Sequence, residues 1–138
     1  MNATVLIVDD ERNLRDGLSE AVRDLGYEAL VAASGREALV VAATNKPDAV
    51  LLDLRMPDMD GLQVLTGLRA VAAGANVPVA IITAHAPAAN TIEAMRLGAF
   101  DPLTKPIGLA ALAYLLPRMV RSRAHKSQAP NLPAAGGL

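Results

Sequence analysis

Ala49-Val50-Leu51-Leu52-Asp53-Leu54-Arg55-Met56-Pro57-Asp58-Met59-Asp60-Gly61 is the stretch on which the fold turns. Four apolar residues, β-branched at Val50, run into a single carboxylate, and a turn rich in Pro, Asp and Gly follows at once. A short uninterrupted apolar run bounded by turn residues reads as a strand buried on both faces of a parallel sheet. Asp53 then stands at the strand's carboxyl end, where open α/β sheets place their ligand crevices. Asp also commonly begins turns. Alone, the stretch leaves both readings of Asp53 open.

The flanking chain repeats the pattern. Thr4-Val5-Leu6-Ile7-Val8 stops at Asp9-Asp10-Glu11, and Leu14, Leu18, Ala21, Val22 and Leu25 then mark one face of a helix closed by Gly26. Glu28 to Ala32 reads as a second strand. Ser34 is a fitting N-cap for a helix over about 36–44, with Glu37 placed for a capping box and Pro47 beyond its end. After Asp53, Gly61 opens a helix with core positions Leu62, Leu65, Leu68 and Val71 or Ala72. Val79 to Ile82 is a further buried strand ending at Thr83, followed by the loop Ala84-His85-Ala86-Pro87 and a weakly amphipathic helix from Asn90 to Leu97. Asp101 to Thr104 is a short last strand before Lys105-Pro106. A final helix is expected from Gly108 through Leu116, with Pro117 ending or kinking it.

Five strands alternating with five helices predict an α/β doubly wound parallel sheet with right-handed crossovers. The 138 residues suffice for one domain with one core. That domain is expected over residues 1–121, with 122–138 a basic and then Pro/Ala/Gly-rich linker or disordered tail. Aromatic residues are only 2%, so Ala, Val, Leu and Ile must build the core. There is no cysteine for disulfides or thiolate metal sites, no apolar run long enough to span a membrane, and no signal-peptide pattern. A cytoplasmic location is expected.

Net charge is −1, but 12 of the 14 acidic residues lie at or before Asp60. Up to Pro117 the chain has nine basic residues against 14 acidic ones, whereas Arg118, Arg121, Arg123 and Lys126 follow with no acid among them. An acidic body is a poor surface for nucleic-acid phosphates, so no direct nucleic-acid binding is expected of it. The basic cluster reads as a solvated helix end and linker.

In a doubly wound sheet the carboxyl ends of the strands share one edge. The first strand delivers Asp9 and Asp10 there, the third Asp53, the fourth Thr83 and the fifth Lys105. Clustered carboxylates with no His or Cys partner suit Mg²⁺. A carboxylate beside a cation, with a hydroxyl and an ammonium nearby, amounts to a phosphoryl-transfer site in which Asp53 is the nucleophile. Residue by residue the plainer readings stand: Asp10 as a helix cap, Thr83 as a strand-end hydroxyl, Lys105 as a solvated charge. Their recurrence at successive strand ends favours the site.

Together these motifs resemble the receiver domains of bacterial two-component response regulators, from about Thr4 to Leu116. The matching elements are Val8-Asp9-Asp10-Glu11, Leu52-Asp53-Leu54-Arg55-Met56-Pro57 with Asp60-Gly61, Ile82-Thr83-Ala84, Gly98-Ala99 and Thr104-Lys105-Pro106. The resemblance implies a flavodoxin-like (βα)5 fold with strand order 2-1-3-4-5. It implies that a sensor histidine kinase phosphorylates Asp53, that Asp10, Asp53 and the Arg55 backbone carbonyl ligate Mg²⁺, and that Asp9 assists through water. A cis Lys105–Pro106 peptide is also implied. In Asp53-Leu-Arg-Met-Pro and Thr83-Ala-His-Ala the chain is similar to receivers of nitrogen-regulation-type, enhancer-binding transcription activators. Transcriptional output through a further domain or partner would follow, as would a homodimer through the face of the fourth helix, fifth strand and fifth helix.

Two departures bear on switching. Receivers usually carry Tyr or Phe three residues before the lysine, and here that position is Pro102, with Phe100 two residues early. Proline has no rotamer that swings between exposed and buried. Pro117 lies on the same face. His85 and Arg55, two residues beyond Thr83 and Asp53, flank the site and can affect water access. Two other functions fit parts of the pattern. A degenerate receiver acting only through protein contacts fits Pro102 but not the complete acidic, hydroxyl and lysine set. An aspartyl-phosphate hydrolase would commonly place a second Asp where Arg55 stands, and would need more chain for a substrate cap. Beyond self-phosphorylation from a donor and slow loss of the group, no enzymatic turnover is expected.

Overall fold

The computed structural model describes residues 2–71, 76–84 and 89–128. Its elements are β1 (Thr4–Val8), α1 (Arg12–Asp24), β2 (Glu28–Ala32), α2 (Gly35–Asn45), β3 (Ala49–Asp53), α3 (Gly61–Ala70), β4 (Val79–Thr83), α4 (Ala89–Arg96), β5 (Asp101–Thr104) and α5 (Leu109–Gln128). The five strands form one parallel sheet in the order β2-β1-β3-β4-β5, as expected of a flavodoxin-like fold.

Each central strand must be apolar on both faces because helices cover both. Leu6 and Val8 of β1 and Val50 and Leu52 of β3 point into one core with Ala38, Ala42, Val64, Leu65 and Leu68 from α2 and α3. Val5, Ile7, Ala49 and Leu51 point into the other, against Leu18 and Val22 of α1 and Leu112, Leu115, Leu116 and Met119 of α5. Leu112, Leu115 and Leu116 of α5 are thus core residues, whereas Leu109 is exposed. Ala72, Gly74, His85, Pro87 and residues 129–138 lie outside the described residues.

The helix starts are set by side chains. At α2, Ser34 Oγ accepts from the Glu37 N–H at 3.2 Å, as expected of an N-cap. Glu37 Oε1, however, accepts from the Ala33 N–H at 2.6 Å, one residue earlier than the standard reciprocal box. α3 carries the complete box between Asp60 and Gln63. Asp10 is not the cap of α1: the N-cap is Glu11, and it is Asp9 Oδ1 that accepts the Glu11 N–H, at 2.8 Å.

The largest difference from expectation is α5. It does not stop at Leu116; one helix runs through Pro117 to Gln128. Proline there donates no hydrogen bond to the preceding turn. Packing on both sides offsets the loss, since Leu115, Leu116 and Met119 are all buried against the sheet. Farther on, Arg123 Nε lies 3.7 Å from Asp48 Oδ1, while Asp48 Oδ2 accepts the Thr4 N–H at 2.9 Å. Part of the basic cluster is therefore paired with the acidic body.

Candidate functional site

The loop after Asp53 is held by close backbone approach. Gly61 donates its N–H to the Leu54 carbonyl at 3.0 Å, and a Cβ at Gly61 would lie 2.5 Å from Leu54 Cα. Only a residue without a side chain fits. Asp58 reaches back to the start of α2, its two carboxylate oxygens accepting the Gly35 and Arg36 N–H groups at 3.2 and 3.3 Å. The Gly35 N–H above all keeps the Asp58 carboxyl below its ordinary range. The segment that supplies Arg55 is thereby tied down at both ends.

Asp9, Asp10 and Asp53 converge: one carboxylate oxygen from each lies within 4.8 Å of the others. Asp9 is fully buried, Asp53 is 4% exposed and Asp10 is exposed. On Asp53, Oδ1 accepts the Arg55 N–H at 2.9 Å and Oδ2 stands 3.4 Å from Lys105 Nζ. The peptide bond from Lys105 to Pro106 is cis, and the Lys105 N–H donates to the Thr83 carbonyl at 2.8 Å. Thr83, Ala84, Arg55, Lys105 and Asn90 wall a cavity of about 100 Å³ over Asp53. That is room for a few waters at roughly 30 Å³ each, or one phosphoryl group.

Burial pushes the Asp9 carboxyl up to about 6, with a smaller push from the neighbouring Asp53; the Glu11 N–H and Lys105 pull the other way. Asp9 Oδ2 is buried and has no hydrogen-bond partner among the described residues. A buried carboxylate oxygen without a donor is costly. Three mutually repelling carboxylates, one with an orphaned oxygen, form a donor set that a hard divalent cation satisfies. The acidic cluster can bind a metal.

All the residues expected at the strand ends therefore meet at one edge, while His85 lies outside the described residues. Three contributors carried no sequence signal. Arg15 Nη1 donates to the Asp9 carbonyl at 2.9 Å, Asp58 anchors the loop, and Asn90 lines the cavity. Each is polar, in or beside a loop, and becomes meaningful only through what faces it.

On the neighbouring face, β5 is an edge strand and Pro102 is half-buried opposite Ile81. The Arg118 guanidinium lies over the rings of Phe100 and Tyr114, at 5.5 and 5.0 Å, and 3.7 Å from Asp101 Oδ2. Phe100 is thus engaged from α5.

A parallel 2-1-3-4-5 sheet with an acidic pocket, a threonine and a lysine at its carboxyl edge defines a signalling domain of the receiver class. The family model for the response regulator receiver domain matches residues 5–116, and the chain belongs to that family. It is 40% identical over 131 residues to the regulatory protein AtoC of Escherichia coli K12, covering 95% of this chain and 28% of AtoC. It is 38% identical over 119 residues to the transcriptional regulatory protein PrrA of Mycobacterium tuberculosis, covering 86% of this chain and 50% of PrrA. Among solved structures it is similar to the receiver domain of the Pseudomonas aeruginosa sensor histidine kinase PA1611, with a TM-score of 0.81 and 30% identity over 87% of this chain and 98% of that one. That structure has a magnesium ion coordinated in its active-site cleft. The chain spans half or less of the length of these two curated relatives. Among the described residues no helix is long and apolar enough to cross a membrane.

Proposed function

We propose that Asp53 is the phosphoacceptor of this receiver. An Asp53 carboxylate oxygen attacks the phosphorus of a sensor kinase's phosphohistidine, the P–N bond breaks, and the imidazole departs with the bonding pair. The observation that carries this reading is the setting of Asp53: nearly buried, under a phosphoryl-sized cavity, with Lys105 at 3.4 Å and two further carboxylates beside it. Mg²⁺ would be held by Asp10, Asp53 and the Arg55 carbonyl, with Asp9 acting through water, and would supply charge neutralisation for the transferred group. Lys105 provides a second positive charge, and the Thr83 hydroxyl donates to a phosphoryl oxygen.

The unit so controlled is the domain expected over residues 1–121, extended by α5 to Gln128, and it would pass its state to an output domain or a separate partner. Its relatives' names support a role in transcription regulation, which would be exercised in the cytoplasm. A homodimer would use the α4–β5–α5 face, a reading supported by the exposed Ile92 and Tyr114 there. The domain turns over no external substrate beyond its own phosphorylation and slow dephosphorylation.

Incubation with acetyl phosphate and Mg²⁺, followed by intact mass measurement, tests the reading. One added phosphoryl group, absent in Asp53→Ala, is expected. No adduct in the wild type would instead favour a degenerate receiver, and turnover of many phosphate esters a hydrolase.

A further inference from the structure

The cavity over Asp53 has one wall that the phosphoacceptor set leaves unexplained. Asp53 is nearly buried, whereas Asn90, lining the same cavity from the first turn of α4, is exposed. The next residue, Thr91, is 4% exposed and Ala94 is fully buried. Those two seat α4 in the body of the domain, so Asn90 is presented at the cavity mouth by a packed helix turn.

Loss of the phosphoryl group requires a water oxygen to attack phosphorus while the P–O bond to Asp53 breaks. The pair returns to the Asp53 carboxylate, and the water's protons end on phosphate and solvent. In such displacements the entering and leaving oxygens are roughly in line. The water must therefore come from the side away from Asp53, and Asn90 is the exposed carboxamide among the residues lining that cavity. Lys105 and Arg55 side chains are donors only, whereas a carboxamide also accepts and carries no charge to repel the phosphoryl oxygens. An uncharged amide that orients an attacking water is an established device in nucleotide hydrolysis.

We infer that Asn90 is a positioning residue for dephosphorylation: its side-chain carbonyl takes a hydrogen bond from the attacking water, and so sets how long Asp53 stays phosphorylated. The inference rests on Asp53 being the phosphoacceptor. It concerns the lifetime of the signal and not its formation.

The test loads the full chain and its Asn90→Ala and Asn90→Asp variants with acetyl phosphate and Mg²⁺, removes the donor, and follows decay by intact mass. Losing one neutral hydrogen bond from the transition state should lengthen the lifetime about three- to tenfold in Asn90→Ala. Mg²⁺ affinity and the thermal midpoint should not move. Asn90→Asp keeps an acceptor at the same place but adds a charge that repels the phosphoryl oxygens, so it should decay more slowly than the wild type and faster than Asn90→Ala. A lifetime in Asn90→Ala that is shorter than, or within twofold of, the wild type overturns the inference. So does an equal slowing in both variants, which would mark a loss of α4 seating. A wild-type chain that takes up no phosphoryl group overturns the phosphoacceptor reading as well, and this result is distinct from the other two.

Discussion

Lys105 Nζ and Asp53 Oδ2 stand 3.4 Å apart, joined across 52 positions of sequence by the pairing of β3, β4 and β5. The pair is partly buried, with the lysine side chain 31% and the aspartate side chain 6% exposed. Its partners are held by different strands, so neither can follow the other if one is altered.

Lys105→Ala is expected to slow phosphoryl uptake from acetyl phosphate at least about tenfold, equivalent to roughly 1.4 kcal/mol of transition-state stabilisation. Lys105→Arg should not restore the rate, because a planar guanidinium does not occupy the place of a compact ammonium. The time course of the mass shift at fixed Mg²⁺ measures both.

Asp9 gives the domain a pH dependence with a definite sign. Its carboxyl is raised from 3.8 to about 6, chiefly by burial, so between those values the folded state holds a proton that the unfolded chain has lost. In chelator, stability should therefore fall as pH rises from about 4 to about 6, by up to roughly 3 kcal/mol, and level off above. Mg²⁺ needs the charged form, so its affinity should rise over the same window. Asp9→Asn should raise the metal-free thermal midpoint at pH 7 and weaken Mg²⁺ binding. A midpoint that climbs with pH in chelator would contradict this account.

Gly61→Ala places a methyl 2.5 Å from Leu54 Cα and 3.1 Å from the Asp53 carbonyl. Overpacking of this kind costs about 1–3 kcal/mol, and here the displaced backbone carries Asp53. Urea midpoint and phosphoryl uptake should fall together. Gly17, inside α1, is the contrasting case, because a methyl added there would meet nothing within 4 Å. Gly17→Ala should stabilise by about 0.5–1 kcal/mol and leave uptake unchanged.

With Pro102 where receivers carry an aromatic ring, the chain's single phenylalanine, Phe100, is held under Arg118. A beryllium fluoride phosphate mimic should therefore shift the NMR signals of Thr83 while those of the Phe100 ring stay in place. Inward movement of that ring in step with Thr83 would show that Phe100 takes over the aromatic role.

Strand ends are the legible part of this sequence, and for a physical reason. A strand covered on both faces must be apolar throughout, so the first polar residue after each run, Asp9, Asp53 or Thr83, marks the sheet edge itself. Helix extents obey no such local rule. Pro117 reads as a stop because proline weakens an isolated helix, whereas Met119, just beyond it, packs against the sheet and holds α5 in place. The same limit hides Arg15, Asp58 and Asn90, whose roles depend on which backbone groups and cavity walls the fold brings opposite them. The α2 cap shows the scale at which local patterns blur: Glu37 does stand near the helix start, but it serves Ala33 in place of Ser34.

The course of α5 has a mechanical consequence. It begins at Leu109, a few residues after Lys105 on the carboxyl edge, and by Arg123 it has reached Asp48 and Thr4 on the amino edge. Twenty helical residues cover about 30 Å. The pocket and the Arg123–Asp48 pair are thus at opposite edges of the sheet. A single helix links the two edges of the sheet, with the Arg123–Asp48 pair fastening its far part to the amino edge.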